Sequence, residues 1–322
     1  MYKILNILNN VQTDITPLIG DFSWSSNIDQ ISRKMDFQVA FNDDRYFPQN
    51  PIDIGSQIIL SSNDEIFRGI VVSEERKGRG SISYTAFDYG FYLNKSNATY
   101  QFNNISGKAA IETILKDFNI QIGSIENITT VVNKIYRNKV VAEIIKDILD
   151  MAKKETSVKY FMEFHEGKIF IKKEENFIIK GQFQLASNIG PNDISSSIGN
   201  PVRKRTIEDM KNAVLIVEND KIIYTLTNNE LMNKYGKLQT IEEVSKKDKV
   251  QAKNIAQKVL KDLGKIFEEN SLEILGDDRV RAGRLIEIDE PVTGMKGTYK
   301  MKNVTHTVKN NIHKMNIGLG VV

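Results

Sequence analysis

The chain has no cysteine among its 322 residues, a single tryptophan and three histidines. Without cysteine there is no disulfide scaffold, no thiol nucleophile, no iron–sulfur cluster and no thiolate zinc site. A long apolar run is missing too: nothing approaches the ~18 apolar residues of a membrane helix. In the opening Met1-Tyr2-Lys3-Ile4-Leu5-Asn6, asparagines soon interrupt the apolar residues. That start is read as neither a signal peptide nor an anchor, so synthesis in the cytoplasm without a standard export signal is expected. Nor does one charge sign dominate. Lys and Arg total 44 against 41 Asp and Glu, a net charge of +3, which is too even to argue for a nucleic acid or a membrane surface as partner.

The motifs of common chemistries are also absent. Gly107-Lys108-Ala109 has neither the upstream glycine spacing nor the magnesium-binding hydroxyl of a phosphate loop. There is no Gly-x-Ser-x-Gly elbow and no His-Glu-x-x-His, and Ser83 stands where a fingerprint begun by Gly78 and Gly80 needs its third glycine. Asp43-Asp44, Glu74-Glu75, Glu174-Glu175 and Asp277-Asp278 are adjacent acids read as solvated loops, whereas glycosidase chemistry needs two carboxylates facing across a cleft. Gly276-Asp277-Asp278 lacks the alternating oxygens of a calcium loop. No catalytic, cofactor-binding or metal-binding residue is assigned, and no cofactor is expected.

What the chain does have is strand-type alternation at both ends. Met35, Phe37, Val39 and Phe41 share one face; Gln57–Leu60, Ile66–Val72 and Ser81–Phe87 follow as short strands, with Glu74–Gly80 as a charged hairpin tip. Near Ser106 the texture changes. Ser106 can cap a helix with Ile111, Ile114, Leu115 and Phe118 at helical spacing, and a second helix after Asn138 lines up Val141, Ile144, Ile145, Ile148, Leu149 and Ala152. A hairpin follows, Tyr160–Phe164 and Lys168–Lys172. From about residue 195 the chain returns to β, with a hairpin around Glu218-Asn219-Asp220, then a helix with Ala252, Ile255, Ala256, Val259, Leu260, Leu263 and Phe267 on one face. Ser245 and Asp248 resemble a capping box for it. Its polar side mixes both charge signs, so it is expected to pack on its own sheet and not on a membrane.

Individual candidates read as follows. His165 precedes a tight turn and is expected to be exposed. His306 and His313 lie in two C-terminal strands around Asn310-Asn311 and can approach across the hairpin, but a metal needs a third ligand, and none is evident nearby. Arg76-Lys77-Gly78-Arg79 and Arg203-Lys204-Arg205 are read as soluble turns, with contact to phosphate or an acidic protein as the lesser alternative, and they lack the aromatic interleaving of nucleic-acid binding. Trp24 is read as core.

Several segments together carry a resemblance. Trp24-Ser25, Arg33–Phe37, Gly55, Ile66–Val71, Ala86–Lys95, Ile207–Asn212, Lys234–Gln239, Ala252–Leu260, Ala282-Gly283, Gly297–Tyr299 and Val304–His306 follow one another in the order and spacing of XkdQ-type proteins of PBSX-like prophages. These are late-control-protein-D-like hubs of contractile tail baseplates. No single motif is diagnostic; the ordered set is. Ser56 after Gly55 and Ala282 depart from the family's usual residues, both at turn positions.

The resemblance implies an α+β, mainly β fold: tube-like β-barrel domains at 1–100 and 196–322 flanking a small α+β domain at 101–195, with a helix inserted at about 246–268. It further implies a non-enzymatic homotrimer joining the six-fold tail tube to a three-fold central spike, in contact with other baseplate and tape-measure components. Neither membrane nor sequence-specific nucleic acid is an expected partner. Assembly would place the chain in the tail of a released phage or tail-like bacteriocin. Two rival readings are a receptor- or glycan-binding tail module, disfavoured by the single tryptophan, and a cell-wall hydrolase, disfavoured by the missing catalytic sets.

Overall fold

The structure is a computed structural model that describes residues 2–42, 44–174, 182–185, 197–244 and 249–321. Met1–Pro201 with Ser271–Val322 forms one compact unit, and Val202–Asn270 a second.

The first unit opens with β1 (Lys3–Leu8), β2 (Val11–Asp14), β3 (Ile19–Asn27), β4 (Lys34–Val39), β5 (Gln57–Ser61), β6 (Glu65–Arg76) and β7 (Ile82–Phe87). In β4 the alternation is obeyed: Met35, Phe37 and Val39 are buried while Lys34, Asp36 and Gln38 are not. The turn between β1 and β2 is Asn9-Asn10, with φ of 51° and 62°. That left-handed pair matches the twist of a two-residue hairpin, and Asn tolerates it better than most residues.

Helix α1 (Gly90–Lys95) leads to β8 (Asn97–Ser106), α2 (Gly107–Asp117), β9 (Gln121–Ile125), β10 (Val131–Val140), α3 (Val141–Thr156), β11 (Tyr160–His165) and β12 (Lys168–Lys173). Ser106 does cap α2, its Oγ accepting from the Ala109 amide at 3.2 Å. Helix α3 buries all six residues of its expected stripe. Its five large side chains, Val141, Ile144, Ile145, Ile148 and Leu149, each contribute roughly 1.5–3 kcal/mol of transfer free energy. They join α2, β8 and β10 and the β11-β12-β9 sheet in one hydrophobic cluster.

Next come β13 (Gln182–Leu185) and β14 (Ser197–Thr206). The second unit holds β15 (Ala213–Glu218), β16 (Lys221–Thr227), α4 (Asn229–Tyr235), β17 (Gln239–Glu243) and α5 (Ala252–Leu263). Helix α5 lays Ala252, Ile255, Ala256, Val259 and Leu260 against Val214 and Ile216 of β15. It is shorter than the expected 246–268, because Gly264 closes its last turn, its N–H donating to the Leu260 carbonyl at 2.8 Å. Phe267 instead opens a strand. The capping box at Ser245 and Asp248 lies outside the described residues.

The chain ends in β18 (Phe267–Leu275), β19 (Leu285–Glu290), β20 (Met295–Lys309) and β21 (Ile312–Val321). One thirteen-strand order joins both ends of the chain: β19-β13-β14-β18-β21-β20-β3-β4-β7-β6-β5-β1-β2, with a further pairing of β19 to β20. The junction is the antiparallel pair β3–β20, in which Trp24 stands opposite His306. The fold is mainly β with helices, as expected.

Candidate functional site

The two C-terminal histidines do meet. The turn Asn310-Asn311, with φ of 49° and 61°, folds β21 back on β20. Nδ1 of His306 then lies 3.0 Å from Nε2 of His313. Nε2 of His306 donates to the Val280 carbonyl at 2.9 Å, and Nδ1 of His313 lies 2.7 Å from the Tyr2 hydroxyl. Each ring nitrogen is thus engaged by a protein group. Among the described residues no group of three or more His, Asp or Glu is placed to hold a metal ion.

The network runs on. The Tyr2 hydroxyl is 2.7 Å from Oδ1 of Asp278, and Oδ2 of Asp278 accepts from Ser62 at 2.7 Å. Asp278, expected in a solvated loop, is drawn inward by these two hydroxyls, and its side chain is only 28% exposed. Trp24 is buried and stacks on His306 with ring centroids 4.6 Å and planes 4° apart. Burial, helped by His313, holds the His306 pKa down to about 3, so the ring is neutral. Gly276 is required here: a Cβ on it would sit 1.9 Å from Nδ1 of His313.

A second joint is made by Arg33 and Asp88, both buried. Oδ2 of Asp88 accepts from the Arg33 amide at 3.0 Å and its Nε at 3.5 Å, and Oδ1 accepts from the Gly90 amide at 3.1 Å. The guanidinium also donates to the carbonyls of Ile66 on β6 and Phe164 on β11, each at 2.8 Å. One side chain therefore ties the early strands to the helical part of the unit. Burial pushes the Asp88 carboxyl up to about 6 against the opposing pull of Arg33. Nearby, Glu163 of β11 pairs with Arg284 at 3.1 Å and Arg281 at 3.7 Å. Desolvation, with Arg33 close by, lowers Arg281 to about 9. His165 is not the exposed turn residue expected. It ends β11 half-buried, and burial plus Arg281 hold its pKa below the ordinary value; the turn itself is Glu166-Gly167.

In the second unit Asn212 is fully buried. Its Nδ2 donates to the Gly236 carbonyl at 2.7 Å, and its Oδ1 accepts from the Leu238 amide at 2.8 Å. The basic runs are neutralised locally. Arg203-Lys204-Arg205 lies on β14, not in a turn, with Arg203 2.8 Å and Arg205 3.5 Å from Glu268, and Lys204 2.8 Å from Glu269. Glu74, Glu75 and Arg76 lie on the end of β6 and not in the expected hairpin tip; Arg76 reaches Glu74 at 3.5 Å, and Lys77, just past the strand, reaches Glu75 at 3.2 Å. Glu174 pairs with Lys159 and Lys300; Asp43 and Glu175 lie outside the described residues. Nothing in the sequence marks Tyr2, Ser62 or Glu163, since a lone polar residue carries no sign of a distant partner.

What these arrangements do chemically is fasten parts of the chain together. The family model described as YQBQ-like matches residues 22–320. The chain belongs to the YQBQ-like family. Two similar curated proteins are both from Bacillus subtilis (strain 168). The uncharacterized protein YqbQ is 26% identical over 264 residues, covering 79% of this chain and 77% of the relative. The phage-like element PBSX protein XkdQ is 25% identical over 259 residues, with the same coverage of 79% and 77%. The resemblance read from the ordered segments is thereby borne out. Among solved structures, the fold is similar to that of the prophage MuSo2 43 kDa tail protein from Shewanella oneidensis, with a TM-score of 0.72 at 12% identity over 99% of this chain and 97% of that one. The fold is thus one that prophage tail proteins use. No helix among the described residues is long and apolar enough to cross a membrane.

Proposed function

We propose that the chain is a structural hub of a contractile-tail baseplate, a non-enzymatic homotrimer that adapts a six-fold tail tube to a three-fold central spike. The observation that carries this reading is the near end-to-end likeness, over 99% of this chain and 97% of a prophage tail protein. In this reading residues 1–100 and 196–322 supply two tube-like β-barrels per copy around the small domain at 101–195. Three copies then offer six similar surfaces to the tube. Two pairings support it: β3–β20 brings both ends of the chain into one strand order, and β19–β20 turns the C-terminal strands back on themselves.

The partners are further copies of this chain, the tube and spike proteins, and other baseplate and tape-measure components. Assembly takes place in the bacterial cytoplasm, before release of a phage or bacteriocin particle. Obligate interfaces, of roughly 2,000–5,000 Å² each, supply the energy that a catalytic site does not. The test is copy number. Tail particles purified from an induced culture, quantified by mass spectrometry against tube and sheath, should carry about three copies where those rings repeat in sixes. Absence from intact tails, or a count that follows the fibres, would overturn the hub in favour of a receptor-binding module.

A further inference from the structure

The joint around His313 has one hydrogen fewer than its contacts demand. The Val280 carbonyl can only accept, so Nε2 of His306 carries a hydrogen. Nδ1 of that neutral, buried ring is then bare, and it accepts from Nε2 of His313. Two short contacts remain: Nδ1 of His313 to the Tyr2 oxygen, and that oxygen to Oδ1 of Asp278, both 2.7 Å. Each needs a hydrogen. With His313 neutral and Asp278 ionised, the Tyr2 hydroxyl supplies one for the two. Tyr2 keeps that hydrogen, because burial and the adjacent Asp278 raise its pKa well above the usual phenol value.

One added proton closes both contacts. On Nδ1 it makes His313 an imidazolium that donates to Tyr2, while Tyr2 donates to the Asp278 carboxylate.

We propose that Tyr2, Asp278 and His313 form a one-proton latch: the closed arrangement forms when the three together take up a single proton, and on its loss Asp278 parts from Tyr2 and turns to water. Asp278 is the member that moves, its side chain being 28% exposed against 12% for His313. The latch spans the start of β1 and the connection from β18 to β19, and it stands independently of any role in a tail. The charged groups that bias it are few. Asp277, itself held by Arg279, faces His313 and Tyr2, and Arg281 faces His306. Burial lowers the His313 pKa, against the opposing pull of Asp278 and Asp277. Loading therefore comes on acidification below the ordinary imidazole value of about 6.5, and the latch opens as the pH rises through that range.

Trp24 reports the event. It is the chain's single tryptophan, stacked on His306 and 5.0 Å from His313. The decisive variant is Asp278→Asn in the full chain. Its amide donates to Tyr2, Tyr2 donates to His313, and its carbonyl accepts from Ser62, so every contact is made with no added proton. In the wild type, Trp24 emission should follow a one-proton titration below about pH 6.5 while far-UV circular dichroism stays constant; Asp278→Asn should abolish that titration. At pH 8 the variant should melt roughly 2–4 °C above the wild type, the size of one hydrogen bond, with the lead gone by pH 5. Asp278→Ala, which cannot donate, should show no lead. The latch is overturned by a titration unchanged in Asp278→Asn, by wild-type emission that stays flat down to acid unfolding, by a lead that does not shrink with falling pH, or by an equal lead in Asp278→Ala.

Discussion

Truncating Asn212 to alanine strips two backbone groups of their partners at once. The Leu238 amide loses the acceptor it meets at 2.8 Å, and the Gly236 carbonyl loses a donor at 2.7 Å. The two losses differ in weight. Leu238 is half-buried, so its orphaned amide costs about 1–3 kcal/mol; Gly236 is exposed and water can replace the donor, leaving about 0.5–1.5 kcal/mol. Together they come to about 1.5–4.5 kcal/mol. The second unit has little in reserve, since its cluster contains four buried apolar residues, Val214, Ile216, Ala252 and Ala256, with partly buried ones around them. The neighbouring Lys211 amide also holds the end of α5 through the Leu263 carbonyl at 3.1 Å. Local opening of this unit should therefore become easier while the rest of the chain is unaffected. By hydrogen exchange, amides of β15, β17 and α5 should exchange roughly 13- to 2,000-fold faster, which is about 1.5–4.5 kcal/mol at 1.36 kcal/mol per tenfold. Amides of α3 should not change. Acceleration below about threefold would refute the assigned weight of the joint, and equal acceleration in α3 would show that the two units open together.

Two further outcomes follow from the histidine joint. Gly276→Ala places a Cβ 1.9 Å from Nδ1 of His313, so the ring must leave; a loss of about 1–3 kcal/mol in urea unfolding and altered Trp24 emission are expected. A stable protein with unchanged emission would count against the close approach. His306 makes folding acid-sensitive: its pKa is about 3 in the fold against about 6.5 when free. This contribution is complete above the free value and is lost, at up to roughly 1.4 kcal/mol per pH unit, as the pH falls below it. His306→Gln should flatten the slope of unfolding free energy between pH 6 and 4 measured in urea, and an identical slope would contradict burial of a neutral ring.

Local patterns were legible where one element's own residues decide its fate. Helix α3 shows its stripe because the six buried residues lie within one stretch, and Ser106 caps the turn that it begins. The long helix misled at its end for a local reason as well. Phe267 sits four residues after Leu263 and continues the helical spacing, yet Gly264 intervenes, and from Phe267 the period becomes two, with Asn270, Leu272 and Ile274 buried. Asn9-Asn10 is a readable hairpin signal, joining β1 to β2 through two left-handed residues. The β3–β20 junction had no such signal, because pairing Trp24 with His306 joins opposite ends of the chain. Arg33 and Asp278 look like surface residues for the same reason: Arg33 is buried and Asp278 half-buried by partners that periodicity cannot bring near.

Those partners explain why the family resemblance comes as an ordered set of weak segments. Arg33 of one segment is bound by Asp88 of another. Asn212 of a third is bound to Gly236 and Leu238 of a fourth. Trp24 is stacked on His306, and the Ala282 amide donates to Ser26, the residue after Trp24-Ser25, at 2.9 Å. Each of these segments is therefore half of a joint. Half a joint has no value alone, since a buried polar group without its partner is a cost, whereas a completed joint fixes how the parts it binds must sit. A catalytic motif is different, because its residues act on a substrate and tend to be recognisable one cluster at a time. In a protein whose segments answer to one another, the information lies in their pairing. That pairing makes these interior contacts, and not an exposed cleft, the first places to perturb in asking what this chain does.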